Sequence, residues 1–305
     1  MLRAWRGYGR FEGRAGLRSW LYRIATNVCL DALEGRKRRV RPMDLGAAGV
    51  ADISLLGEPL PEATWVEPVP DERILVAGGD PAEVAIARES VRLAFVTALQ
   101  RLPPRQRAVL ILREVLHWQA SEVAELLETS VASVNSALQR ARATLQAAHV
   151  DPSAAAVPLD PAQQALLERY VEAFESYDMD RLTALLREDA VWNMPPYALW
   201  LRTHADITTW CLGPGIGCRG SKLVPTMANA SPAFGQYKPS PSGGPEPWSL
   251  QVLELSGDRI SAVTFFLDTA RLFPLFGLPD RLPPEAETIP RVRPDGPRRR
   301  RRRDR

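Results

Sequence analysis

Residues 102–145, LPPRQRAVLILREVLHWQASEVAELLETSVASVNSALQRARATL, decide how this chain is read. The stretch predicts a helix beginning near Arg105, a short second helix, a tight turn and a longer third helix. Ala120, Val123, Ala124 and Leu127 recur at helical spacing, so one side of the second helix is apolar. Ser121 and Glu122 stand near its start, where a hydroxyl and a carboxylate suit unpaired N–H groups and the helix dipole. Glu128-Thr129-Ser130 breaks the pattern, and Thr129 or Ser130 suits the N-cap of the next helix. There Val131, Val134, Leu138, Ala141 and Leu145 predict a buried stripe. Ser133, Asn135, Ser136, Gln139, Arg140 and Arg142 are left outward, with Ser130 at the cap. Short polar groups on the first turns and arginines beyond them match the base edges and phosphates of a major groove. A solvated basic face on an ordinary surface helix explains the same residues. The preceding short helix and tight turn decide for a helix-turn-helix, whose second helix enters the groove.

The 305 residues suffice for two or three domains with real cores, and 45% hydrophobic residues is a globular composition. No stretch reaches the roughly 18 to 20 uninterrupted apolar residues of a membrane span. MLRAWRGYGR has arginines but lacks the apolar core of a secretory signal. Together these predict a cytoplasmic protein with no membrane partner. Cys29, Cys211 and Cys218 are too few for a disulfide framework and have no zinc-site spacing, so buried thiols are expected, with no metal and no cofactor. The net charge of +3 is segregated. Residues 1–42 carry eleven Lys/Arg against three acids, residues 291–305 carry nine Arg against two Asp, and the middle is acidic. Basic ends around an acidic middle suit a polyanion partner.

Upstream, Leu17, Leu21, Ile24, Ala25, Val28 and Ala32 predict a helix ending in Arg36-Lys37-Arg38-Arg39. Trp5, Tyr8 and Phe11 alternate with Arg3, Arg6, Arg10 and Arg14, a pattern that stacks unpaired bases while the charges follow the backbone. Trp5, Trp20 and Tyr22 as plain core aromatics is the competing reading. Residues 42–81 are rich in Pro, Gly and acids and predict a mostly extended linker that includes Trp65-Val66-Glu67-Pro68-Val69-Pro70-Asp71. A helix is expected over 82–100, before Pro103-Pro104.

The block FEGRAGLRSWLYRIATNVCLDALEGRKRR (11–39) resembles the promoter-melting and −10-reading part of the second region of sigma-70-family factors. The helix-turn-helix resembles their fourth region, which reads the −35 element. With no third domain between them, the order and separation resemble extracytoplasmic-function (group IV) sigma factors. SVNSALQRARATL (133–145) and WVEPVPD (65–71) resemble the sigma-G- and sigma-J-like subset, which carries a SnoaL-like C-terminal domain. The resemblance implies that Arg23, Asn27, Asp31, Arg36, Arg38 and Arg39 face the unwound −10 strand, with Trp5, Tyr8 and Phe11 assisting melting. Ser130, Ser133, Asn135, Ser136, Gln139, Arg140 and Arg142 would face the −35 duplex. It implies as partners promoter DNA and the RNA polymerase core, through its beta and beta-prime subunits. The acidic linker resembles the segment threaded toward the RNA exit channel. Asn135 and Ala137 stand where Lys and Arg are frequent, which leaves fewer charges on the reading face. Family members usually carry a further helix before the point matching Met1, the one that docks on the polymerase clamp, so the N-terminal part of region 2 is expected to be missing here.

Residues 149–162 are small and Pro-containing and predict a second linker; 163–285 form a separate domain, and the Arg-rich 286–305 predict a disordered tail that can hold nucleic acid by counterion release. Leu166, Leu167, Tyr170, Val171, Phe174 and Tyr177 make an amphipathic helix, and 181–186 and 205–212 predict two more. A strand is expected to start at 190–195 and stop at Pro195-Pro196. Strands 249–255 and 259–267 are joined by Ser256-Gly257-Asp258, a hairpin signal. This order resembles the SnoaL-like branch of the NTF2-like α+β cone, giving a multidomain fold of two all-α DNA-binding modules and one α+β cone. The cone encloses a cavity, for which Trp192, Asn193, His204, Trp210, Trp248 and Asp268 are candidates, with Asp189 a further carboxylate. No pair among them forms a catalytic motif, and His204 suits a capping or surface role.

The reading is therefore a non-enzymatic sigma factor that directs RNA polymerase to promoters, with the C-terminal domain modulating it. The alternative is a DNA-tethered small-molecule sensor, or an enzyme of the SnoaL-like cyclase or isomerase type, with a small ligand in the cavity. A plain helix-turn-helix repressor leaves the basic aromatic N-terminal block unexplained.

Overall fold

The computed structural model describes residues 21–22, 24–26, 39–74, 96, 99–147, 159–241 and 244–283. Trp5, Tyr8, Phe11, Arg23, Asn27, Asp31, Arg36 and Arg38 lie outside the described residues, as do most of the expected helix 82–100, most of the second linker and the Arg-rich tail.

Helix α1 (Pro104–Leu110) opens on a proline, whose fixed φ and missing N–H suit the first helical position. It runs into a π-helical turn, Ile111–Val115, closed by the Leu116 N–H on the Ile111 carbonyl at 3.0 Å. Helix α2 (Ala120–Leu126) is capped by Gln119, whose N–H donates to the Glu122 carboxylate at 2.6 Å, so the cap falls two residues before Ser121. Glu128, in the left-handed region at φ 50°, turns the chain. The Ser130 hydroxyl then accepts from the Ser133 N–H at 3.1 Å and starts α3 (Val131–Ala147). Leu110, Val123, Val134, Leu138, Ala141 and Leu145 close the core between the three helices. Two expectations are corrected by the helical phase. Val131, expected in the buried stripe, is 44% exposed because the first residue of α3 precedes the contact with α2. Ala137, expected on the reading face, is 9% exposed, since it lies one turn beyond Val134 and one before Ala141 on the packed side.

The C-terminal unit begins with α4 (Pro161–Glu175), capped by Asp160, and α5 (Met179–Ala184), capped by Asp178. Because α5 starts at its cap it ends two residues before the expected 186, and β1 (Leu186–Asn193) begins there rather than at 190. β2 (Trp200–Leu201), α6 (His204–Leu212), β3 (Lys222–Ala228), β4 (Ser231–Lys238), β5 (Glu246–Ser256), β6 (Arg259–Phe266) and α7 (Thr269–Leu275) follow. The six strands form one sheet in the order β2-β1-β6-β5-β4-β3, antiparallel except for the β1–β6 pair. Neighbouring residues point to opposite faces, as the pleat requires. Phe234, Leu253 and Phe265 pack under α4, α5 and α6, while Ala233, Val252 and Phe266 pack on the other side with Phe273 of α7. Both faces are therefore covered, and β4 is buried along nearly its whole length. This is the α+β cone expected from the sequence.

The segment 39–74 corrects the picture of a mostly extended linker. It contains three single-turn 3-10 helices, Pro42–Asp44, Ile53–Leu55 and Glu62–Thr64, and one α-helical turn, Asp71–Ile74. Val40 and Trp65 pair side by side, with the Val40 N–H on Thr64 and the Val66 N–H on Val40. The segment is folded because its apolar residues find a surface: Val66 joins the core cluster on the outer sheet face, with Ala228, Tyr237 and Leu282.

Beneath α4, the Tyr170 hydroxyl donates to Gln251 at 2.7 Å, Gln251 donates to Gln236 at 3.0 Å, and Gln236 donates to Ser221 at 3.0 Å, all buried. Tyr170→Phe leaves the Gln251 oxygen without its donor and is expected to destabilise the C-terminal unit by about 1–3 kcal/mol, read from urea unfolding followed by tryptophan fluorescence.

Candidate nucleic-acid interface and C-terminal cavity

On α3, Ser133, Asn135, Ser136, Gln139, Arg140 and Arg142 are all exposed, and Ser130 joins them at the cap. The exposed face also carries Val131, which the apolar spacing hid and only the start of the helix explains. Arg142 holds the Glu114 carboxylate of the π-turn at 2.6 Å, which offsets part of its charge. Arg140 makes no ion pair among the described residues, so its charge is the less compensated of the two. Arg39, the one described member of the −10 group, lies 3.0 Å from Glu67 of the linker. Tyr22 meets Trp118 edge-on, with centroids 5.7 Å apart, so it is in contact with the helix-turn-helix.

The described part of the linker is seated on the C-terminal unit. The Gly49 N–H donates to the Trp200 carbonyl at 2.9 Å, and the Leu60 N–H to the Pro196 carbonyl at 2.9 Å. The indole N–H of Trp200 returns to the Gly46 carbonyl at 3.0 Å. A Cβ at Gly49 would fall 2.4 Å from a terminal methyl of Leu199, so a larger residue there requires the end of that side chain to shift. At the β3–β4 turn, the Val69 N–H donates to the Asn229 side chain at 2.8 Å and the Asn229 N–H donates to the Val69 carbonyl at 3.0 Å. The Asp71 carboxylate accepts from the Ala230 N–H at 2.7 Å. Ion pairs add to this: Arg41 with Glu254 at 3.1 Å, and Arg271 with Glu67 and Glu62.

Between α4, α5, α6 and the sheet lies a cavity of about 60 Å³. Trp192, Asn193, Trp210 and Trp248 line it. His204 and Asp268 do not: His204 opens α6 and its Nε2 meets the Arg187 carbonyl at 2.8 Å, and Asp268 precedes α7 and holds Arg271 at 2.8 Å. Asp189 is exposed, and the hydrogen bond from Arg187 holds its carboxyl below the usual carboxylate range. Sequence spacing gave no hint of three other lining residues, Tyr177, Gln236 and Leu56, the last contributed by the linker. Burial pushes the Cys211 thiol up to about 12, and raises Cys218 and Tyr177 in the same direction. These three groups stay protonated near neutrality, and no carboxylate or imidazole lines the cavity among the described residues. The cavity wall is mostly apolar and aromatic, with the amides of Asn193 and Gln236 among its lining residues, and carries no charged side chain among the described residues. No helix among the described residues is long and apolar enough to cross a membrane.

Known proteins give the same picture. The family model for sigma-70 region 2 matches residues 1–39, and that for sigma-70 region 4 matches residues 92–145. The ECF RNA polymerase sigma factor SigG of Mycobacterium tuberculosis is 47% identical over 289 residues, covering 92% of this chain and 76% of that one. The probable ECF RNA polymerase sigma factor SigI of the same organism is 26% identical over 171 residues, 55% of this chain and 50% of its own. The crystal structure of the extracytoplasmic-function sigma factor SigJ of M. tuberculosis superposes with a TM-score of 0.55 at 20% identity, over 90% of each chain, a likeness of fold. The chain belongs to the extracytoplasmic-function sigma factors, the subunits that bring RNA polymerase to specific promoters for transcription initiation.

Proposed function

We propose that this sigma factor grips its promoter at two points and that its C-terminal unit restrains the segment between them. Residues 1–41 hold the melted −10 strand, with Trp5, Tyr8 and Phe11 stacking on bases and Arg23, Asn27, Asp31, Arg36, Arg38 and Arg39 along the strand. Residues 82–148 hold the −35 duplex, with Ser130, Ser133, Asn135, Ser136 and Gln139 at base edges and Arg140 and Arg142 at phosphates. Val131 adds an exposed apolar group of the kind that meets a thymine methyl. The core polymerase is engaged through its beta and beta-prime subunits, in the cytoplasm. The C-terminal unit, 163–285, performs no chemistry of its own: the titratable groups of its cavity are protonated and buried, which suits no proton-transfer base.

The observation that carries the regulatory part is the two-way hydrogen bond between Val69 and Asn229, which anchors the linker to the β3–β4 turn. A linker held there is not free to follow a channel of the polymerase. Docking and polymerase engagement then compete for one segment, and the C-terminal unit sets the balance.

Two outcomes are expected. Arg140→Ala weakens binding to the −35 duplex by about 1–3 kcal/mol and lowers the salt dependence by about one counterion, measured by fluorescence anisotropy across salt concentrations. Arg142→Ala has a smaller effect, because Glu114 already compensates that charge. Asn229 sits at φ 53°, so Asn229→Gly keeps the turn and the backbone bond to the Val69 carbonyl while removing the side-chain acceptor of the Val69 N–H. In reconstituted promoter-dependent transcription it is expected to raise output roughly fivefold, the shift that about 1 kcal/mol of lost docking supplies. Unchanged or lower output contradicts the restraint.

A further inference from the structure

The two arginines on the exposed face of α3 are not equivalent. Arg140 makes no ion pair among the described residues, whereas Arg142, half exposed, donates from Nη2 to Oε1 of Glu114 at 2.6 Å. Glu114 is the drier partner, its side chain 17% exposed, and no other cation among the described residues pairs with it.

Glu114 comes from outside the reading helix. It stands in the Ile111–Val115 π-turn, whose bond from the Leu116 N–H to the Ile111 carbonyl takes in one residue more than an α-turn. Each residue advances an α-helix by about 100°, so the extra one re-aims the side chains of the turn, and Glu114 meets α3. The turn is braced as well. Arg113 donates to the Trp118 carbonyl, and the Trp118 N–H donates to the Leu112 carbonyl at 2.9 Å. A carboxylate on such a base stays in place when Arg142 turns toward another anion.

A DNA phosphate is the anion that competes for it, since it suits the guanidinium fork as a carboxylate does. Moving Arg142 fully onto a phosphate leaves a largely buried carboxylate without its cation, which costs more than breaking an exposed pair. Sharing Arg142 instead leaves the carboxylate beside the phosphate, where like charges repel. Either way the contact at Arg142 is weakened and the one at Arg140 is not.

We infer that Glu114 is a positioning residue of the DNA-reading face, which holds Arg142 back from the phosphates and so limits sequence-independent binding. The inference rests on the reading of the −35 duplex by α3 proposed above, and gives that face one strong and one tempered phosphate contact. Phosphate contacts carry no sequence information, so tempering one lowers the hold on any duplex and leaves selection to the residues at base edges.

The test uses the full chain and two probes: a duplex that the chain enriches from a random-sequence pool, and the same duplex scrambled. Binding is followed by fluorescence anisotropy across salt concentrations. Glu114→Gln keeps the shape and an oxygen while removing the charge. It is expected to tighten binding to both duplexes about fivefold and to steepen the salt dependence by about one counterion. Glu114→Ala, which removes the carboxylate altogether, is expected to steepen it equally. On the Glu114→Gln background, Arg142→Ala should cost as much as Arg140→Ala. Where Arg142 is already alanine, Glu114→Gln should change affinity by less than about twofold. A gain that persists in the Arg142→Ala chain overturns the inference, because Glu114 then acts as a bare negative charge and not through Arg142. Lower affinity or an unchanged salt slope in both Glu114 variants, or failure of both to fold, makes the pair a structural support. With Arg140→Ala still weakening binding, that result overturns the inference and leaves the reading by α3 in place. No effect of Arg140→Ala, or no enriched duplex, overturns that reading and the inference with it.

Discussion

The constraint on which this architecture depends is the mutual satisfaction of one hairpin tip and one linker. The turn between β3 and β4 places Asn229 and Ala230 both in the left-handed region, at φ 53° and 55°. Such a turn joins antiparallel strands with the right twist, and asparagine tolerates it. Hairpin tips normally face water. Here Asn229 is 4% exposed, because Val69 and Asp71 take over its hydrogen bonds and those of Ala230. Val66 and Pro70 complete the seal, the latter bridged to Ala228. Each bond contributes about 1 kcal/mol net, so docking of the whole segment amounts to a modest sum. A segment held by backbone and a few apolar contacts stays put in the free protein and remains exchangeable when a larger surface competes for it.

That balance joins the two ends of the molecule. Helix α3, proposed to read the −35 duplex, packs on a core of its own. The C-terminal cone is equally self-contained, with both sheet faces covered. What lies between is the only described part whose folded form is borrowed from a neighbour. Arg41, Arg271 and Glu67 reinforce the seat with ion pairs that are largely exposed or half-buried and so contribute little each. Regulation placed on such a segment needs no distortion of either rigid unit.

The sequence disclosed the elements with strong local signals. The apolar stripe of α3, the cap at Ser130 and the break at Glu128-Thr129 were all legible, as were the hairpin at Gly257 and the amphipathic helix through Leu166 and Tyr170, although its start at Pro161 fell within the expected linker. The phase errors at Val131 and Ala137 arose where spacing alone could not say which turn meets α2. β3 and β4 escaped notice because Pro225 and Pro232 interrupt them, and because β4, buried on both faces, shows no alternation. Among the cavity candidates, Trp192, Asn193, Trp210 and Trp248 line the space, whereas His204 and Asp268 are engaged at helix starts. Leu56 could not be foreseen at all: a leucine in an acidic Pro/Gly stretch gains its meaning only from a surface more than a hundred residues away in the chain. The folded linker likewise follows from long-range partners such as Asn229 and Trp200, which local composition does not report.

Hydrogen exchange at the Val69 and Asn229 amides of the full chain tests the central claim most directly. The two protons serve the reciprocal bond that ties the linker to the β3–β4 turn, and neither lies in the regular ladder of the sheet. A docked linker predicts that both exchange together, at least tenfold more slowly than an unstructured chain, as about 1.4 kcal/mol of protection requires. Exchange of Val69 at the unstructured rate, with the strands of the cone still protected, would contradict it.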